Sequence, residues 1–135
     1  MTVGTTRTEL PRAGDVLRYV YLFLNESLQR DEGVKERPVI VIDADPATRR
    51  VAVVAVTMKG ERYPGTIALS EPVAAAAGLA RGSSVVVSEY NTFTWLGYDI
   101  RPVADGFVAG RLPPGFAHKV LTAAATSQAV EVSRD

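Results

Sequence analysis

The sequence predicts a mostly β domain, a small curled antiparallel barrel with helical caps, and three observations predict it. Short β-branched and aliphatic runs recur along the chain, at Val16–Leu24, Val39–Ile42, Val51–Val56 and Ser84–Glu89. Polar or glycine-bearing connections separate them, as in antiparallel sheets built from hairpins. Only two stretches carry helical signals, Val73–Leu79 and the segment after Leu112-Pro113-Pro114. Many short strands with few helices curl readily into a small barrel.

Each element has its own reason. Residues 1–12 are polar and threonine-rich and read as a loose arm, and Gly14-Asp15 is a turn before the first strand. That strand is aromatic and aliphatic apart from Arg18, whose side chain is expected at solvent or at an edge. The dozen residues Asn25–Glu36 are polar, longer than most hairpin loops, and a candidate mobile or functional loop. The next two runs flank Asp43, Asp45, Pro46 and Thr48, a turn cluster in which aspartate bonds its own backbone. Both runs are apolar at nearly every position, which places them mid-sheet with both faces covered.

After Thr57 a turn carries Lys59, Arg62 and Tyr63, and Thr66–Leu69 forms a short strand. Ser70-Glu71-Pro72 opens a helix, with serine as cap, an acid in the first turn and proline where a missing N–H does no harm. Tyr90–Asp99 then concentrates aromatics and amides after a buried strand. Ile100–Val103 and Gly106–Gly110 read as short strands, with Asp99 and Arg101 expected to form a structural ion pair. Phe116, Ala117, Val120, Leu121 and Ala124 recur at spacings of three and four along a terminal helix, where His118 is expected to face solvent. The domain spans 13–125, and 126–135 reads as a polar, frayed tail.

Composition narrows the function classes. Hydrophobic residues make up 47% of 135, enough for a buried core. No apolar run approaches the about 20 residues of a membrane-spanning helix, and no signal peptide opens the chain, so a cytoplasmic protein is expected. There is no cysteine, which excludes disulfides and thiolate chemistry, and no metal site or cofactor is expected. The formal charge is zero, so any affinity for nucleic acid must come from a local patch. Arg37 and Thr57 offer one: a planar cation and a hydroxyl at the mouths of adjacent strands, above a buried floor.

Several segments together are similar to the MazF/PemK-type toxins, ribosome-independent endoribonucleases of bacterial toxin–antitoxin pairs. They are Gly14-Asp15-Val16, a polar loop leading to Arg37-Pro38, Ala55-Val56-Thr57, Val85-Val86-Val87 running to Glu89, and Gly110-Arg111-Leu112-Pro113-Pro114 before the last helix. The likeness covers roughly residues 13–122. It implies an SH3-like barrel, a homodimer, single-stranded RNA as substrate and a cognate antitoxin as partner. It also implies metal-free cleavage by attack of the 2′-hydroxyl, with growth inhibition as the consequence.

By the same resemblance Arg37 and Thr57 are the catalytic pair. A pre-aimed donor is worth roughly 3–4 kcal/mol where charge builds on phosphoryl oxygens, and the guanidinium fork matches phosphate. Better-known members carry a further arginine and an aspartate after the acidic strand end, whereas no basic residue lies between Glu89 and Arg101 here. Glu89 is therefore the candidate base, with Lys59 as phosphate partner and Tyr90, Asn91 and Trp95 as substrate-binding residues. Aromatics of this kind stack unpaired bases at about 1–3 kcal/mol each. The alternative is a catalytically inactive barrel of the same class, acting as an RNA- or protein-binding module.

Overall fold

The computed structural model describes residues 9–21, 23, 36–63, 65–97, 99–103, 106–127 and 129–134. The expected functional loop at 25–36 lies outside the described residues, except for Glu36. Nine strands are described: β1 (Asp15–Val20), β2 (Glu36–Ala44), β3 (Arg50–Thr57), β4 (Thr66–Ala68), β5 (Ser84–Val86), β6 (Glu89–Thr94), β7 (Ile100–Arg101), β8 (Val108–Arg111) and β9 (Val130–Ser133). Helix α1 (Glu71–Ala77) lies between β4 and β5, and α2 (Pro114–Thr126) lies between β8 and β9.

The sheet runs β4-β5-β3-β2-β1-β7 and branches at two strands. Along one edge of β3, Arg50–Val53 pair with β6 while Val56 and Thr57 pair with β5. Along one edge of β1, Asp15–Leu17 pair with β8 while Arg18 and Tyr19 pair with β7. Bulges locally bend and re-aim strands. One bulge sits in β2 between Val41 and Asp43, and another lies in the β1–β8 ladder.

The mostly β class holds, but the sheet is not closed into a barrel. β9 takes the outer edge of β6 in a parallel pairing, and among the described residues no ladder joins β6 to β7. Arg134 bridges the gap instead: Nη1 donates to the Val20 carbonyl at 2.6 Å and Nη2 to Asp99 Oδ2 at 2.7 Å. The expected frayed tail is thus a strand with an anchored arginine. Asp99 pairs with Arg134 where Arg101 was expected.

β2 and β3 are covered on both faces, as their composition demands. Val39, Val41, Val51, Val53 and Ala55 enter one core cluster with Leu17, Tyr19, Phe93 and Trp95. Ile40, Val54 and Val56 enter a second cluster with Ala74, Ala77, Val120 and Ala124 of the helices. The helix signals read true. Ser70 Oγ accepts from the Val73 amide, Pro72 lies in the first turn, and Gly78 closes α1 at φ 73°. The turn also behaves as expected, with the Ala47 amide donating to Asp45 Oδ1 at 2.9 Å.

Two segments from opposite ends of the domain clasp each other. Asp15, 1% exposed, accepts from the Arg12 amide at 2.8 Å and from Arg111 Nε at 2.6 Å. The Asp15 carboxylate raises the Arg111 pKa. The Leu112 amide donates to the Gly14 carbonyl beside it. Gly110 lies against the backbone of Ala77, where a Cβ would overlap the carbonyl of that residue.

Two measurements test this framework. In urea melts, Arg134→Ala should cost about 2 kcal/mol, since it removes two charge-assisted bonds in a nearly buried setting. Gly110→Ala should cost about 2 kcal/mol by forcing α1 away from β8.

Candidate active site

Alternation along the strands builds the site. Arg37 stands opposite Tyr19 in the β1–β2 ladder, and Val39 stands opposite Ala55 in the β2–β3 ladder. Arg37 and Thr57, each two residues from one of that last pair, therefore share the face that carries the aromatic core cluster. Here the apolar pattern of both strands stops. A recess of about 490 Å³ opens at this point, lined by Arg37, Thr57, Lys59 and Arg62 with Phe23 and Tyr63. The two residues singled out from sequence do converge.

The recess has the character of an anion site. It gathers three cations against one carboxylate, Glu36, whose Oε2 accepts from Arg18 Nε at 2.8 Å. Among the described residues Arg37 has no such pair, and its Nε is enclosed without a hydrogen-bond partner. Its Cζ lies 4.6 Å from the centroid of the Phe23 ring. Thr57 is 8% exposed, and its Oγ1 accepts from the Lys59 amide at 2.9 Å. That bond fixes the oxygen and leaves the hydroxyl proton to be donated.

The other predicted residues are placed elsewhere. Glu89 is buried at 7% exposure, where Tyr21 donates to Oε2 at 3.5 Å, and it does not line the recess. Asn91 is 0% exposed and so closed to a substrate. Trp95 is 5% exposed, packs edge-on to Phe107 with centroids 5.8 Å apart, and lines a separate recess with Tyr19, Leu96 and Arg134. Tyr90 belongs to the opposite face and lines a groove with Leu121 and Ala124 of α2. Alternation in β6 is the reason: residues 89, 91 and 93 turn toward the aromatic cluster, and residue 90 turns away. Lys59 stays in the recess as expected.

Arg62, Tyr63 and Phe23 also line the recess and were not among the candidates. Arg62 and Tyr63 follow Lys59 in a basic, aromatic turn, which was the available signal. Phe23 carries no signal of its own within an aromatic strand. Among the described residues no group of acids and histidine could hold a metal ion. His118 is exposed on α2. No protein-family model and no curated protein matches the chain.

Burial, followed by the charge of Glu89, raises the Tyr21 pKa well above 10.0. A raised acid stabilises the fold fully below the unfolded value, and that contribution is lost as pH rises through the folded value. Stability should therefore decline above about pH 10, as unfolded tyrosine ionises while Tyr21 stays protonated. Urea melts from about pH 8 to about pH 11 check this, with a shallower decline expected for Tyr21→Phe.

Proposed function

We propose that this chain is a MazF/PemK-type endoribonuclease, cutting single-stranded RNA without a metal as the toxin of a toxin–antitoxin pair. The observation that carries the reading is a cationic recess in which an arginine, with no ion-pair partner among the described residues, meets a hydroxyl with a proton to donate. The likeness over residues 13–122 adds to it. In that family the fold is an SH3-like barrel, and we extend the fold kinship to this open sheet. A homodimer and an antitoxin covering the recess follow from the same reading.

The chemistry follows from the groups present. The ribose 2′-oxygen attacks the neighbouring phosphorus and gives up its proton, and the bond to the 5′-oxygen breaks. That oxygen takes a proton, leaving a 2′,3′-cyclic phosphate and a 5′-hydroxyl. Negative charge grows on the non-bridging oxygens, where the Arg37 fork and the Thr57 hydroxyl stabilise it. Lys59 and Arg62 hold flanking phosphates as exposed point charges. Glu89, buried beside Tyr21, does not serve as the base in this scheme.

One observation favours the second reading, a non-catalytic RNA-binding module. Among the described residues the only carboxylate lining the recess is Glu36, and Arg18 engages it. Incubation with a long single-stranded RNA in EDTA separates the two. The nuclease is expected to cut, and Arg37→Ala and Thr57→Val, checked for folding by thermal melts, should each lower kcat by about 10²–10³-fold. RNA retention without cutting, weakened by Arg37→Ala, points to the module.

A further inference from the structure

We infer that Phe23 is a positioning residue for Arg37, holding the cation by its ring face so that the outer donors meet a phosphate. The inference rests on the reading of the recess as a phosphate site.

An arginine in an anion site must be held still without being neutralised. A carboxylate would hold it, but would also cancel its charge and occupy its fork. A ring face attracts the cation and takes none of its hydrogen-bond donors. Arg37 is held in this second way. Its Cζ lies 4.6 Å from the Phe23 centroid, and the neighbouring carboxylate, Glu36, is engaged by Arg18. Because Nε is enclosed, the terminal amino groups are the donors left for an anion in the recess. Phe23 is itself steadied, since it is 2% exposed and its ring stacks on Tyr63 at 4.8 Å and 18°. Its burial keeps it beneath the substrate, so it acts through the guanidinium.

The test drains the ring of its electrostatic attraction while preserving its shape, by placing 4-fluoro-, difluoro- and pentafluorophenylalanine at position 23. Two readouts are taken: single-stranded RNA cleavage in EDTA, and titration with inorganic phosphate followed through the Arg37 side-chain NMR signals. Cleavage kcat should fall stepwise, by about tenfold for the pentafluoro ring, with KM changing less than about twofold. Phosphate affinity should fall in the same order, while the melting temperature stays constant. A flat series in both readouts overturns the inference.

If the unsubstituted protein binds phosphate but cuts no RNA, the nuclease reading fails and the phosphate series alone judges Phe23. A graded loss then supports its role, and a flat series removes it. Absence of both cleavage and phosphate binding overturns the inference together with the reading beneath it.

Discussion

Burial of both faces of the β2–β3 hairpin is the constraint on which the rest of this structure depends. Each strand alternates between two core clusters, so each needs cover above and below. Fully burying an aliphatic side chain of this size is worth roughly 1.5–3 kcal/mol, and eight residues of the pair are buried in the two clusters. The helices supply one cover, and the aromatic residues of β1 and β6 supply the other. β3 and β1 each share one edge between two partners.

The recess is the place where this double cover ends. Toward the far end of the hairpin, Val39 gives way to Arg37 on one strand and Ala55 to Thr57 on the other. The polar groups therefore sit directly on the margin of a rigid floor, and a site on strands is positioned more tightly than one on loops. An enclosed arginine nitrogen without a partner runs against the usual satisfaction of buried polar groups. Local rules are commonly broken where function is concentrated, and one such breach among the described residues lies at the residue that faces the recess.

Polar contacts complete what hydrophobic burial leaves open. The Asp15 carboxylate adds an ion pair with Arg111 to the β1–β8 ladder, which joins residues 96 apart in sequence. Arg134 does similar work at the other margin, where side-chain bonds replace the missing ladder of a closed barrel. Arg12 and Arg134 are thereby tied to the sheet that they flank.

The sequence by itself determined the β class, the two-faced hairpin, the cap of α1, the apolar face of α2 and the convergence of Arg37 with Thr57. All of these rest on local periodicity, on turn chemistry or on two adjacent strands, which a linear reading carries. Only the tertiary structure decided the open sheet and the strand in the tail, because both depend on which edge β9 occupies. It also decided that Glu89 and Asn91 are buried, that Tyr90 lies on the opposite face, and that Trp95 lines a separate recess. Aromatics and amides in an alternating strand look alike in sequence whichever face they take, and one residue of register sends each to the core or to solvent. Phe23 gained its partner in the same way, from a ring beyond the end of β1 and a cation on β2 that meet only when the two strands pair.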